Sequence, residues 1–219
     1  CIIKISKFSK EKAKNNKYVD KRLLRFYREI EALHLALDFC EENIVEIYGD
    51  GIVEIEGENF PYFIMEKCDN NLKEYLNEVD IPLDQRILLC FEIAKIINEL
   101  HKYHIYHRDI KAENIFIKKD KPVVGDLGLA DYRDSDFIIN EKGEIIGPIG
   151  WMSPESTNKF LVEKTKLAAN FNCKITSHSD VFQLGKLFWY ILQGNLPIGQ
   201  LIFDDFKIRD KYLFELIFG

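Results

Sequence analysis

The apolar positions of the chain follow two spacings, which predict a short strand and then a long helix. Residues 1–5 form an apolar, β-branched run that is typical of a strand. Over about residues 19–37, apolar side chains recur three or four positions apart, which predicts a helix with one apolar face. The positions that define this face are Phe26, Ile30, Leu33 and Leu37.

Strand patterns follow this helix. Apolar residues at 44–45, 51–56 and 60–65 predict strands, and the polar residues 57–59 predict the turn that joins the last two. At residues 66–69 the periodicity is lost, which predicts an extended linker.

Helical spacing returns after the linker. Residues 72–76 predict a short helix and residues 83–103 a long one, which we expect to be a buried scaffold. Two histidines near its end, His101 and His104, are expected to be surface or capping residues rather than ligands. The apolar face of the long helix is expected at Ile87, Phe91, Ala94, Ile97 and Leu100.

A lysine-rich segment lies between the first strand and the first long helix. Its basic residues are Lys7, Lys10, Lys12, Lys14, Lys17, Lys21 and Arg22. We interpret residues 7–22 as a solvated loop, and docking of an acidic partner is the minor alternative.

Length and composition narrow the class of protein. The chain has 219 residues, of which 47% are hydrophobic and 30% charged, and this suits one globular domain or two small lobes that share a cleft. A net charge of −6 argues against a dedicated nucleic-acid binder. The five scattered cysteines without a C-x-x-C pair predict reduced thiols in a cytoplasmic protein. We see no membrane span or signal peptide, and we expect a piece of a longer protein because the chain begins at Cys1.

The residues with the strongest chemical signal lie in one short loop. Residues 107–114 read H-R-D-I-K-A-E-N, and a second acid, Asp126, follows an apolar run at 122–125. An acid that faces a hydroxyl, a cation that neutralises a phosphate, and an amide and acid that hold divalent ions are the groups that phosphoryl transfer needs. This loop therefore predicts phosphoryl transfer from a metal-bound nucleotide.

These motifs resemble those of the eukaryotic-type protein kinase family, whose catalytic loop reads H-R-D-x-K-x-x-N and whose metal-binding triplet is D-F-G. Here the triplet is D-L-G, with Leu127 in place of phenylalanine. The resemblance implies an α+β fold with two lobes. Residues 1–67 would be part of the small, β-rich lobe from its third strand onward, and residues 68–219 the larger, mainly helical lobe without its last helices.

The resemblance also implies roles in the loop. Asp109 would accept or orient the proton of the substrate hydroxyl, and Lys111 would stabilise charge on the γ-phosphate. Asn114 and Asp126 would hold Mg²⁺. A lysine at position 111 is more similar to Ser/Thr kinases than to tyrosine kinases. His107 is expected to be a packed, hydrogen-bonded core residue.

On the other side of the cleft, the resemblance implies that Lys4 contacts the α- and β-phosphates of ATP. The alternative for Lys4 is an edge-strand residue that prevents aggregation. A glutamate of the first long helix would pair with this lysine. We select Glu29 because Leu33, one turn later, fits the family's apolar spine, and Glu31 is the alternative.

The linker at residues 66–69 corresponds to the family's hinge, which contacts the adenine. Met65 would be the gatekeeper at the back of the pocket. Glu66 and Cys68 would bind through main-chain groups, so their side chains would matter little.

Further landmarks support protein substrates. Residues 153–155 resemble A-P-E, and residues 147–152 resemble the G-T-x-x-Y-M run that shapes the substrate site, with Pro148 in place of threonine. Residues 180–185 resemble D-V-W-S-L-G, so the Asp180 carboxylate would accept backbone N–H groups of the catalytic loop. Residues 156–177 are expected to be an insertion, to which we assign no function.

Two hydroxyls beyond the triplet, Tyr132 and Ser135, are candidates for phosphorylation, because a phosphate there could pair with Arg108. Ordinary exposed hydroxyls are the simpler interpretation. In the family a Gly-rich loop and its two strands precede the lysine strand, and because Lys4 is the fourth residue they are not part of this sequence. The arginine that pairs with the A-P-E glutamate, Glu155 here, is expected after the end of the chain.

The leading hypothesis is therefore an ATP- and Mg²⁺-dependent Ser/Thr protein kinase. The first alternative is a pseudokinase scaffold that signals by contact, and the second is a small-molecule phosphotransferase with a similar fold.

Overall fold

The computed structural model describes residues 1–14, 16–132, 149–162 and 173–197. In this part of the chain two small antiparallel sheets are joined by an extended link, and helices pack around both. The strands of the first sheet, in the order β1-β3-β2, are β1 (Ile2–Ile5), β2 (Ile47–Ile55) and β3 (Glu58–Met65). The strands of the second sheet, in chain order, are β4 (Asn70–Asn71), β5 (Ile115–Lys118) and β6 (Lys121–Val124).

The helices of the described residues include two long central ones and four others around them. They are α1 (Lys10–Lys14), α2 (Lys17–Cys40), α3 (Leu72–Glu78), α4 (Leu83–Lys102), α5 (Pro154–Val162) and α6 (Ser177–Gln193). Short 3₁₀ turns occur at Glu41–Asn43, Ala112–Asn114 and Ile149–Trp151. None of the helices in the described ranges combines the length and the apolar character that crossing a membrane requires.

The first sheet carries helix α2 on one face. β3 is its central strand, and the Cα of Lys4 in β1 lies opposite Phe63 in β3. Phe63 is fully buried and its ring lies 5.3 Å from that of Phe26 of α2, so the helix is fixed to the sheet by an aromatic contact. This packing confirms the predicted strand around Lys4 and the predicted helix with Phe26 on its apolar face.

The second sheet positions the loop residues. β5 and β6 form a hairpin in which Ile115 lies opposite Val124. Because Ile115 follows the catalytic loop directly and Val124 precedes the triplet, the hairpin brings Asn114 next to Gly125, whose N–H donates to the Asn114 carbonyl at 3.1 Å. Two motifs that are separate in sequence therefore meet at the same end of the sheet.

The apolar face of α4 differs from the prediction. Ile87 and Phe91 are 55% and 56% exposed, whereas Ile97 and Leu100 are buried as expected. Apolar residues on α4 satisfy helical spacing along two neighbouring stripes, so periodicity alone could not identify the stripe that packs against α6. The buried stripe consists of Leu89, Cys90, Ile93, Ile96, Ile97 and Leu100.

The prediction of a solvated loop at residues 7–22 was wrong. Helix α1 and the first turns of α2 occupy this segment. The Asn16 side chain caps α2 by accepting hydrogen bonds from the Tyr18 and Val19 N–H groups. Three apolar residues between the lysines form a small buried cluster with Phe8 against it, and this cluster stabilises both helices. Its members are Ala13, Val19 and Leu23.

Candidate active site

The backbone of the catalytic loop is held by one buried carboxylate. Asp180, near the start of α6, is completely buried and accepts hydrogen bonds from the N–H groups of His107 at 2.8 Å and Arg108 at 2.7 Å. This is the structural role expected for Asp180. His101 was expected at the surface or in a cap, but its Nε2 lies 2.8 Å from the same carboxylate and donates to it. A contact between distant parts of the chain such as this one has no local signal in sequence.

Asp109 is buried, and one of its carboxylate oxygens lacks a partner. Its Oδ2 accepts hydrogen bonds from Lys111 Nζ at 2.7 Å and from Asn114 Nδ2 at 2.9 Å. Its Oδ1 is buried with no hydrogen-bond partner among the described residues. Burial raises the pKa of Asp109, and the hydrogen bond from Lys111 opposes this rise. The partnered oxygen thus orients the carboxylate while the other can accept a bond.

The segment before the triplet is closely packed. His107 is completely buried, as expected, and its Nε2 donates to the Gly125 carbonyl at 3.2 Å. A Cβ on Gly125 would lie 2.8 Å from a Phe116 ring atom and 3.0 Å from Val45, so this position has room only for glycine. Asp126 follows with a φ of 51°, a left-handed conformation that few non-glycine residues adopt and that concentrates at functional sites.

An ion pair links the strand lysine to α2. Lys4 Nζ lies 2.5 Å from Glu29 Oε1 and 4.0 Å from Asp126 Oδ1. Burial raises the pKa of Glu29, the Lys4 charge lowers it, and the Asp126 charge adds to the rise. The alternative partner, Glu31, instead accepts a hydrogen bond from the Tyr132 hydroxyl at 2.8 Å. The structure therefore brings Lys4, Glu29 and Asp126 together and leaves Glu31 outside this group.

A cavity of about 140 Å³ separates the two sets of residues. Its lining includes Lys4, Glu29 and Met65 from the first sheet and its helix, together with Asn114 and Asp126 from the loops at one end of the second sheet. Both sides of the cleft therefore contribute charged or polar side chains to the same space.

Glu66 and Cys68, the residues expected at the hinge, are not among those that line this cavity. The Glu66 N–H donates to the Glu46 carbonyl at 2.8 Å, so the main-chain group that Glu66 can offer a ligand is its carbonyl. The Glu66 side chain lies 2.6 Å from Lys118 Nζ. Cys68 is partly exposed, and burial raises the pKa of its thiol to about 11, so it remains a neutral thiol at ordinary pH.

Oxygen atoms dominate the candidate metal site. Both hydrogen bonds of the Asn114 side chain, to the carbonyl and to the carboxylate of Asp109, come from its amide nitrogen, which leaves its amide oxygen for a ligand. Asp126 adds carboxylate oxygens, and its side chain is 44% exposed at the cavity. Within the ranges that the structure describes, no cluster of three His, Cys, Asp or Glu side chains has the arrangement of a metal site. Two oxygen ligands fit Mg²⁺, which keeps several waters and binds phosphate oxygens.

The candidate phosphorylation sites have different outcomes. Ser135 lies outside the described residues. Pro148, which replaces the threonine of the substrate-site run, lies outside them too. Tyr132 is only 6% exposed, so it is not an ordinary exposed hydroxyl. Arg108, the expected partner of a phosphate, forms an ion pair with Asp131.

A small antiparallel sheet with one long helix, a cleft, and a mainly helical second lobe define the two-lobed protein kinase fold, and the catalytic loop lies at the cleft. The sequence model of the protein tyrosine and serine/threonine kinase family matches residues 7–211. The chain belongs to this family, as the motifs predicted.

Several curated proteins are similar to most of the chain. Serine/threonine-protein kinase PknB of Mycolicibacterium smegmatis is 29% identical over 178 residues, which are 80% of this chain and 26% of PknB. The serine/threonine-protein kinase/endoribonuclease IRE1 of Oryza sativa is 27% identical over 216 residues, 86% of this chain and 22% of that protein. A probable serine/threonine-protein kinase of Dictyostelium discoideum is 30% identical over 186 residues, 84% of this chain and 33% of the relative. The chain thus spans between a fifth and a third of each relative.

Proposed function

We propose that this chain transfers the γ-phosphate of ATP, in the presence of Mg²⁺, to serine or threonine hydroxyls of protein substrates. The observation that carries the proposal is the cluster of polar groups at one cleft, where Lys4 and Asp126 line the cavity and Asn114, also in the lining, donates to the Asp109 carboxylate at 2.9 Å. Lys4 Nζ lies 4.0 Å from Asp126, and Asp109 has a buried oxygen without a partner among the described residues. These are the positions that a triphosphate and an attacking hydroxyl require.

In the proposed reaction, Asp109 acts on the substrate hydroxyl. Its Oδ1 accepts the hydroxyl proton or orients the hydroxyl toward phosphorus, while the bonds at Oδ2 keep the carboxylate fixed. Lys111, within 2.7 Å of this carboxylate, is placed to neutralise charge on the transferring phosphate. The raised pKa of Asp109 makes it a better proton acceptor than an exposed aspartate.

Mg²⁺ in this proposal is held by the Asn114 amide oxygen and the Asp126 carboxylate. When bound, the metal supplies positive charge to the phosphate oxygens. Asp126, whose backbone is left-handed with a φ of 51°, lines the cavity. Lys4, fixed by Glu29, contributes the second positive charge, at the α- and β-phosphates.

The adenine is proposed to lie against Met65 and the hinge. The Glu66 carbonyl and the Cys68 main-chain N–H would bind its edge, since the Glu66 N–H already donates to Glu46. Met65 lines the cavity and would limit its depth.

Protein rather than small-molecule substrates are supported by the relatives named as serine/threonine-protein kinases and by the A-P-E-like residues 153–155. Lys111 supports serine or threonine as the acceptor. A reducing compartment such as the cytoplasm is proposed because the described residues, which include all five cysteines, hold no disulfide.

Phosphate transfer from labelled ATP to a generic basic protein tests the proposal, with the full-length protein and its Asp109→Asn variant. We expect a loss of about 10²–10⁴-fold in the variant, because the amide cannot accept the proton. The matched control is Asp120→Asn, the same chemical change on an exposed turn. An inactive parent would reject the kinase function and favour a scaffold, whereas an active Asp109→Asn variant would reject the role of Asp109.

The pH dependence of the rate tests the state of Asp109. Burial raises its pKa, so the rate should fall, as pH decreases, at a midpoint above the ordinary value for aspartate. The carboxyl is protonated below that midpoint and cannot accept the substrate proton. Constant kcat/KM down to about pH 4 would contradict this assignment.

A further inference from the structure

A glutamine of α6 forms two hydrogen bonds with the backbone of the catalytic loop, as Asp180 does. Gln183 lies one turn after Asp180 on the helix and is 1% exposed. Its Oε1 accepts a hydrogen bond from the Ile110 N–H at 2.9 Å, and its Nε2 donates to the Arg108 carbonyl at 3.1 Å. The side-chain amide thus pairs with the main chain as a neighbouring strand would.

The two main-chain groups that Gln183 binds lie on either side of Asp109. The Arg108 carbonyl belongs to the peptide bond before Asp109, and the Ile110 N–H belongs to the peptide bond after it. Arg108 has a φ of 65°, a conformation that persists only where the surroundings hold it. Gln183 therefore fixes the backbone at the residue that carries the proposed base.

The other bonds to Asp109 cannot provide this anchorage. Lys111 and Asn114 belong to the same loop, so their contacts with the carboxylate move whenever the loop moves. Asp180 holds the N–H groups of His107 and Arg108, which precede Asp109. Among the described contacts from α6, Gln183 supplies the one on the far side, through Ile110.

This residue also departs from the motif D-V-W-S-L-G, which has serine at the corresponding position. A serine hydroxyl on one carbon is too short to bridge a carbonyl and an N–H on two successive peptide bonds. The amide of Gln183 has one donor and one acceptor side by side, which matches the spacing of the two groups.

We propose that Gln183 is a positioning residue for phosphoryl transfer, which holds Asp109 in its reactive orientation without touching the substrate. This inference rests on the proposed kinase function. It predicts that changes at Gln183 lower kcat and leave the KM for ATP unchanged, because the ATP contacts lie elsewhere in the cleft. A residue that only fills space in the core would change stability and not the kcat of the folded protein.

The first variant is Gln183→Met in the full-length protein, which keeps length and shape but removes both hydrogen bonds. We expect kcat to fall at least tenfold, with the KM for ATP within twofold of the parent. The control is Gln193→Met, the same change at the exposed end of α6. A kcat equal to that of the control would overturn the positioning role. An inactive parent would instead reject the kinase function itself.

The second variant, Gln183→Glu, tests the role even if Gln183→Met folds poorly. A protonated carboxyl group has one donor and one acceptor and can replace the amide, whereas the ionised form cannot donate to the Arg108 carbonyl. The buried site and the neighbouring Asp180 carboxylate both favour the protonated form. The ratio of variant to parent kcat, which cancels the titration of Asp109, should fall as pH rises. A ratio near one at a pH where the unfolding of the variant shows that its new carboxyl group is ionised would overturn the proposal.

Discussion

The catalytic loop and the strand that carries Lys4 hold their charged groups in different ways. The Asp109 side chain is 10% exposed, and its loop is anchored to α6 on both sides. The Lys4 side chain is 38% exposed, and its Nζ lies 2.5 Å from Glu29 and 4.0 Å from Asp126. The Asp109 carboxylate is therefore held in place before any ligand binds, whereas the Lys4 ammonium can change its position.

Because of this contrast, we expect substitutions on the two sides of the cleft to affect different properties, stability on one side and activity on the other. Buried hydrogen bonds to a charged group contribute to stability strongly, because removal of one partner leaves the other unsatisfied. Partly exposed ion pairs contribute little, because water screens them. Substitutions under the loop should therefore lower the free energy of unfolding, and substitutions at Lys4 should mainly lower activity.

The greatest loss of stability is expected for Asp180→Asn. One backbone N–H of the loop would then face an amide NH₂ group instead of a carboxylate oxygen, and the His101 bond would weaken. We expect the free energy of unfolding to fall by about 2–3 kcal/mol, measured by urea or thermal unfolding. Asp80→Asn, at an exposed site, is the control. Equal stability of the two variants would show that the loop is not anchored through Asp180.

A smaller effect is expected for Lys4→Met, on the order of 1 kcal/mol. Without Lys4, the pKa of buried Glu29 rises further, so the folded state binds a proton that the unfolded state has lost. Stability should then fall as pH rises above the ordinary glutamate range, and the double variant Lys4→Met/Glu29→Gln should lose this dependence. If stability depends on pH in the same way in the single and the double variant, Lys4 does not stabilise the ionised form of Glu29.

Lys186 of α6 is 1% exposed and donates a hydrogen bond to the Gly150 carbonyl at 2.8 Å. Burial lowers its pKa to about 8, so above that pH the unfolded chain binds a proton that the folded protein has released. Stability should therefore rise with pH between 8 and the ordinary lysine pKa, by at most about 1.4 kcal/mol per pH unit. Lys186→Met should remove this rise, whereas Lys121→Met, at an exposed position, should keep it.

The two sides of the cleft also differ in how far the sequence predicted them. Asp109, Asn114 and Asp126 belong to contiguous motifs, and the hairpin between them has a simple strand pattern. Glu29 was selected over Glu31 because Leu33, one turn later, fits the apolar spine of the family. These predictions depended on local order in the chain.

The residues that sequence reasoning missed act over long distances. His101 and Gln183 bind the loop from helices that are far away in sequence, and nothing in their neighbours predicts those contacts. The exposed stripe of α4 was mistaken for the buried one because both have helical spacing. The Glu66 N–H donates to the Glu46 carbonyl, and the pattern of side chains in the sequence cannot predict this main-chain hydrogen bond.

Whether the two sides act on one nucleotide can be measured by the Mg²⁺ dependence of ATP affinity, with a fluorescent ATP analogue and the full-length protein. We expect Mg²⁺ to strengthen binding to the parent and to Lys4→Met, although the latter binds more weakly throughout. In Asp126→Asn, Mg²⁺ should no longer strengthen binding. An equal effect of Mg²⁺ on the parent and on Asp126→Asn would contradict a nucleotide held between Lys4 and a metal on Asp126.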